Sequence, residues 1–193
     1  MKELIKYNFG CGPTPKEGYI NVDGFDWGER GIKIDEVQNL TKVPYAFAED
    51  NSASEIIAIE VFEHISWKDA EKVLKEWYRI LAYGGTLQIQ VPDCGKAMEY
   101  YVNGEICECV SHKPKKEEDA KADPSCFVCS GKGKIHPNRW LFSFLGAQKH
   151  PFDAHLNIFT HQRMSDLFDK VGITNYSIEN DSYGWKLIAK ITK

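Results

Sequence analysis

No stretch of the 193-residue chain approaches the roughly eighteen consecutive apolar residues that a membrane span requires, so no spanning helix and no membrane partner are expected. Met1 to Gly10 lacks the charged start, long apolar run and small-residue cleavage site of an export signal, and Lys6 interrupts its one apolar stretch; the expected location is cytoplasmic. Positive charge is not in excess either: 24 Lys and Arg stand against 28 Asp and Glu, a net charge of −4. That balance argues against a protein whose main work is wrapping nucleic acid or coating an anionic membrane, while leaving room for a local basic patch. Internal repeats and heptads are missing too. Without an export signal, the six cysteines, four of them clustered, point to metal or thiol chemistry rather than to disulfides.

What is present reads as one domain, residues 1–193, with an insert. Leu4 to Phe9 is a strand that runs into the turn Gly10-Cys11-Gly12-Pro13, and Tyr19 to Val22 is a second strand ending on Asp23. Ser54 to Phe62 is nearly continuous in apolar residues, as a central parallel strand covered on both faces should be. Ser66 and Asp69 look like a capping box, followed by Ala70, Val73, Leu74, Trp77 and Leu81 at helical spacing up to a stop at Gly84-Gly85. Thr86 to Val91 alternates and ends at Pro92-Asp93. Thr160 caps a helix carrying Met164, Leu167, Phe168 and Val171 and closed by Gly172; Ile173 to Ile178 and Trp185 to Ile191 then form a strand pair. Strands alternating with helices before a terminal pair predict an α/β, Rossmann-like sheet, mostly parallel with an antiparallel terminal contribution.

In such a sheet, ligands collect at the carboxyl ends of the strands. Gly10 and Gly12 would let backbone approach a ligand there, and Asp23 can accept from both hydroxyls of a ribose. Only ten residues separate Gly12 from Asp23, well short of the roughly twenty between glycine fingerprint and acid in a dinucleotide-binding unit, so a nicotinamide enzyme is disfavoured.

The ordered set YNFGCGPTPKEGYINVD (7–23), SEIIAIEVFEHI (54–65), a helix, and YRILAYGGTLQIQVPD (78–93) resembles class I S-adenosylmethionine (SAM) dependent methyltransferases with the same shortened opening. The likeness is close over residues 4–93 and looser over His155 to Gly172. It implies that Phe9, Gly10, Cys11 and Gly12 line the methionine and ribose of SAM, that Asp23 holds the ribose hydroxyls, that Asn39 lies beside the adenine where relatives have Asp, and that Glu60 and Val61 border the cofactor. A methyltransferase must align the acceptor, exclude water and, for a hydroxyl or acid, remove a proton. His155, His64 and Asp93 are the candidate bases. The same residues also have structural readings: Glu63 and His64 as support for a helix start, His155 as a loop fastener, and the aromatic stretch around Trp140, Phe142 and Phe144 as packing rather than a pocket wall.

From Glu105 to His136 the apolar periodicity stops. Cys107, Cys109, Cys126 and Cys129 offer the four thiolates of a closed structural zinc site, with His112 or His136 as substitutes for one of them and free or redox-active thiols as the other reading. Cys126 to Gly133 resembles one cysteine repeat of the zinc-binding region of J-domain chaperones, a likeness that implies zinc and not chaperone activity. The expectation is methyl transfer to a small-molecule or sugar-like acceptor; a macromolecular acceptor, nucleic acid included, and a non-enzymatic zinc-stabilised binding protein are the alternatives.

Overall fold

Hydrophobic alternation and short glycine turns along the chain resolve, in a computed structural model, into one seven-stranded mixed sheet. The structure describes residues 4–103, 124, 139–149, 153–182 and 184–193. Strand β1 (Ile5–Phe9) pairs in parallel with β2 (Ile20–Asp23) on one side and with β4 (Ala53–Ile59) on the other. The short β3 (Glu36–Val37) continues the parallel set beyond β2, and β5 (Leu81–Pro92) continues it beyond β4. Two antiparallel strands finish the sheet, β7 (Lys186–Thr192) on β5 and β6 (Tyr176–Asn180) on β7, giving the order β3-β2-β1-β4-β5-β7-β6. The expected mostly parallel α/β sheet with an antiparallel end is therefore the observed one. None of its helices is long and apolar enough to cross a membrane, among the described residues.

Among the described residues, four α-helices accompany the sheet. In α1 (Ala70–Ile80) the buried stripe is Ala70, Val73, Leu74, Trp77 and Ile80, the i, i+3, i+4, i+7 spacing that puts apolar side chains on one face. The helix stops four residues before the expected glycine pair: Leu81 is already extended and enters β5. The reason is pairing, since Leu81 aligns with Ala53 before a bulge shifts the register to Glu55 and Thr86, and ladder hydrogen bonds outweigh a weak local preference for helix. Asp69 makes no side-chain cap, so Ser66 opens a turn into the helix rather than a capping box. The late helix α4 (His161–Val171) follows its sequence signals closely, with the Thr160 side chain accepting from Arg163 N and Gly172 left-handed at the end. Helices α2 (Cys94–Asn103) and α3 (Arg139–Leu145) lie against each other and carry no periodicity strong enough to have been predicted. The cysteine-bearing stretch between them, with Cys107, Cys109, Cys126 and Cys129, lies outside the described residues.

The core under β1, β4 and α1 is aromatic. Phe9 stacks on Tyr7 and Trp77, Tyr45 meets Phe9 edge-on, and Phe62 lies between Trp77 and Phe159. A charge pair lies at its edge: buried Glu76 accepts from the backbone N–H of Tyr45 at 2.7 Å and from Arg79 at 2.6 and 2.8 Å, while Arg79 also reaches Asp50 and the Ala48 carbonyl. Removing one member of a buried pair strands the other, at a cost of about 3–5 kcal/mol. Glu76→Ala should lower the free energy of urea unfolding by about 3 kcal/mol, whereas Lys75→Ala, which breaks only the exposed pair with Glu71, should cost less than about 1 kcal/mol.

Candidate active site

The connection from β1 to β2 is ten residues long, shorter than the dozen or more that a parallel crossover ordinarily takes. Its shape is held from beneath by Asn21. That side chain accepts from buried Asn8 at 2.9 Å and from Lys16 N at 2.7 Å, and donates to the carbonyls of Lys16 and Tyr19 at 3.0 Å each. Asp35 completes the network by accepting from Asn21 N at 2.8 Å. Above this network Gly10 and Gly12 are both left-handed, with φ of 66° and 54°. A Cβ on Gly10 would lie 2.2 Å from Val61 Cγ2, whereas one on Gly12 would meet nothing within 4 Å. The first glycine is thus required by packing of β1 on the end of β4, and the second opens a bare stretch of backbone. Asp23 faces this backbone, its Oδ2 accepting from Gly12 N at 2.8 Å and its Oδ1 from Phe25 N at 2.9 Å. Each carboxylate oxygen keeps a second lone pair.

Other expected site residues divide cleanly. Cys11 is buried at the turn and its thiol is pushed up to about 11, chiefly by burial and then by the Asp23 charge, so it packs rather than attacks. Cys94 is a buried filler as well, its thiol pushed to about 11 by burial. The Phe9 ring is wholly buried in the aromatic core, so what it can offer a ligand at the strand end is backbone. Asn39 is exposed in a turn after β3, where its Oδ1 accepts from Thr41 N and Oγ1. Asp93 is spoken for: Oδ1 accepts from Lys96 N at the start of α2 and Oδ2 from Asn180 at 2.8 Å. It ties β5, α2 and β6 together and does not line a described cavity.

The end of β4 brings the remaining residues together. Glu60, left-handed at φ 53°, accepts from Gln90 and pairs with Lys186, both at 3.3 Å. A cavity of about 240 Å³ opens beside it, lined by Glu60, Glu63, His64, His155 and Lys186 with the α3 end at Phe142 and Ser143. His64 and His155 meet edge-to-face with ring centres 4.9 Å apart. Each ring is fastened by Nδ1, to the Ala154 carbonyl at 3.1 Å and the Ser143 carbonyl at 3.0 Å. Carbonyl oxygens only accept, so Nδ1 carries the proton in both and Nε2 holds the free lone pair of the neutral ring. Burial, with a further push from His64, holds the His155 pKa below the usual imidazole range. The loop is sewn to the β4 end by Leu156 and Asn157, whose N–H groups donate to the Glu63 carbonyl at 2.9 and 3.1 Å.

Glu63, read from sequence as support for a helix start beside His64, is the most unusual group in the site. Its side chain is 2% exposed, and neither carboxylate oxygen reaches a hydrogen-bond partner among the described residues. Burial, reinforced by the charge of Glu60 and only partly offset by its own backbone N–H and Lys186, raises its pKa well above the carboxylate range. One donor atom each from Glu63, His64 and His155 lies within 4.8 Å of the other two.

Residues 28–89, about a third of the chain, match the family model described as a methyltransferase domain. A SAM-dependent methyltransferase of Thermotoga maritima, described as a possible histamine N-methyltransferase, superimposes with a TM-score of 0.58 at 17% identity, over 100% of this chain and 84% of its own. An Archaeoglobus fulgidus SAM-dependent methyltransferase gives 0.58 at 12% identity, covering 100% and 87%. The Burkholderia thailandensis 1,6-didemethyltoxoflavin N1-methyltransferase, solved with its acceptor and S-adenosylhomocysteine, gives 0.52 at 10% identity, covering 100% and 72%. No curated protein matches the sequence. The fold is that of the SAM-dependent methyltransferases.

Two tests follow from the site's packing and charge. Gly10→Ala should destabilise by more than about 2 kcal/mol, from overpacking and left-handed strain together, with part recovered by adding Val61→Ala. Gly12→Ala should cost only about 1 kcal/mol of strain; urea unfolding of the three variants measures this. For Glu63, a folded-state pKa above the unfolded one means that stability present at low pH is lost as pH rises past the ordinary carboxylate value of about 4.3. In metal-free protein, Glu63→Gln should therefore raise the thermal midpoint relative to wild type at pH 8 and give little or no gain at pH 4.

Proposed function

We propose that this chain is an enzyme that transfers the methyl group of SAM to a small acceptor held in the cavity beside Glu60. The observation that carries the reading is the shared strand end: Val61 packs against Gly10 of the glycine turn, and its neighbour Glu60 lines the cavity. A cofactor on the turn and an acceptor in the cavity would thus meet across two adjacent residues. The fit to SAM rests on the space at Gly12, where a side chain would project into the ligand, and on the Asp23 carboxylate directed at the same turn. SAM, when bound, supplies a methyl group already made electrophilic by its sulfonium.

The chain's own residues then have defined tasks. Backbone at Gly10, Cys11 and Gly12 would border the methionine and ribose, Asp23 would accept from the ribose hydroxyls, Asn39 would stand near the adenine, and Glu60 and Val61 would close the cofactor's inner side. While its Nε2 carries no other ligand, His155, uncharged at neutral pH because burial disfavours the imidazolium, can accept a proton there, with His64 beside it as the second acceptor. A cavity of about 240 Å³ with Glu60 and Glu63 in its wall suits a small acceptor better than a phosphate-rich polymer. The four thiols at Cys107, Cys109, Cys126 and Cys129 form a structural zinc site in this reading, on the grounds of their spacing, and the protein works in the cytoplasm.

Isothermal titration should show SAM and S-adenosylhomocysteine binding that Asp23→Ala weakens by roughly 10- to 100-fold, the worth of charge-assisted hydrogen bonds to a ribose. Equal affinity in the variant, or no binding by the wild-type protein, would overturn the reading.

A further inference from the structure

The cavity's buried carboxylate has no hydrogen-bond partner among the described residues, and a buried carboxylate persists in proteins when it is neutralised, paired or bound to a cation. Three observations favour the last. Glu63 is fully enclosed, with both oxygens unpartnered among the described residues. Two imidazoles stand beside it, and a donor atom from each of the three residues lies within 4.8 Å of the others. Both imidazoles donate Nδ1–H to backbone carbonyls, the outer-shell arrangement that fixes a metal-binding histidine in the tautomer with Nε2 free. We infer that Glu63, His64 and His155 form a binding site for a divalent first-row metal ion of the zinc class, separate from the cysteine cluster.

The donor set chooses the cation. Two nitrogens and one carboxylate suit Zn²⁺ and its neighbours, whereas Mg²⁺ and Ca²⁺ call for oxygen ligands throughout. Donors no more than 4.8 Å apart need to move inward by less than about 1 Å each to reach the ~2.0–2.2 Å bonds of zinc, a displacement that side-chain rotation supplies. Three protein ligands leave a coordination position for water or for an oxygen or nitrogen of a ligand in the cavity, unlike the closed set expected of four thiolates. The fold builds the site from two distant pieces of chain. Glu63 and His64 sit in the single 3-10 turn Phe62–His64 after β4, and His155 is brought to them by the loop after α3. Gly146 permits that approach, because a Cβ there would lie 1.8 Å from the Asp153 carbonyl and 2.9 Å from His155 Cδ2.

The site does not depend on methyl transfer, and its test does not use SAM. The full-length protein, freed of metal, is titrated with Zn²⁺ in competition with a chromophoric chelator, and with Co²⁺ as a spectroscopic probe. Relative to wild type, His155→Ala and Glu63→Gln should each lose one equivalent of Zn²⁺, or hold it more weakly by over the ~10- to 100-fold that loss of an outer-shell partner costs. The thiolate-to-Co²⁺ charge-transfer band of any cysteine-bound ion should be unchanged. Because a variant can misfold, imidazole ¹⁵N spectra of the wild-type protein provide the second readout: two of the six histidines should change to metal-bound Nε2 signals on saturation with Zn²⁺. Unchanged stoichiometry and affinity in both variants, or no shifted imidazole in wild type, would overturn the inference, whatever the outcome with SAM.

Discussion

The contact between Gly10 and Val61 is the constraint on which the site depends. Parallel β1 and β4 run side by side, and where they end their chains must diverge to make room for a ligand. Here they do not diverge at once: the Val61 side chain occupies the space that any Cβ at position 10 would need. That close approach goes with the left-handed turn at Gly10, the placing of Gly12 on the Asp23 carboxylate, and a left-handed Glu60 whose side chain lines the cavity. A left-handed non-glycine residue at Glu60 costs about 1–2 kcal/mol, and strain of that kind persists where surrounding structure over-determines it. The Gln90 and Lys186 contacts and the backbone bond from Glu60 N to the Gln90 carbonyl provide that determination.

The shortened opening shows how a missing helix is replaced. A parallel crossover normally covers its backbone polar groups with a helix; ten residues are too few for that here. Asn21 substitutes a single side chain, which bonds to Asn8 on the neighbouring strand and to three backbone groups of the loop. Because Asn21 lies two residues before Asp23 on the same strand, the network that shapes the loop also fixes the height of the acid relative to Gly12.

Much of this was legible in the sequence where local signals and tertiary demands agree. The β1 turn, the apolar β4, the cap and glycine stop of α4, and the terminal antiparallel pair all carry their own pattern. Legibility failed where long-range pairing decided the outcome. Leu81 has helical spacing with Trp77, yet the Ala53 strand draws it into β5. Asp93 ends an apolar strand as a catalytic acid would, but Asn180, far along the chain, takes one of its oxygens and the start of α2 takes the other. The Phe9 ring follows the strand's alternation into the core and leaves backbone at the strand end. For Glu63 the sequence held only a place beside His64 at a helix start; burial and the absence of partners arise from a loop some ninety residues later, and no local pattern encodes them.

The distribution of buried polarity carries the argument one step further. Elsewhere in the core a buried carboxylate is matched, as Glu76 is by Arg79 and Tyr45 N, and the unpartnered buried side-chain atoms there are the neutral Tyr7 hydroxyl and Trp27 Nε1, among the described residues. At the carboxyl end of β4 the carboxylate is not matched: Glu63 and the Asn157 side-chain nitrogen are enclosed without partners among the described residues, beside two imidazoles whose Nδ1 atoms are both engaged. A fold gains nothing from leaving such groups unsatisfied, since each costs about 1–3 kcal/mol or more if charged. A matched carboxylate beneath the sheet and an unmatched one at a strand end therefore mark where stability has been set aside, and that place adjoins the glycine turn. A ligand or ion that satisfies these groups would bind the folded chain and not the unfolded one, so occupancy of the cavity and the order of the His155 loop are coupled by mass action.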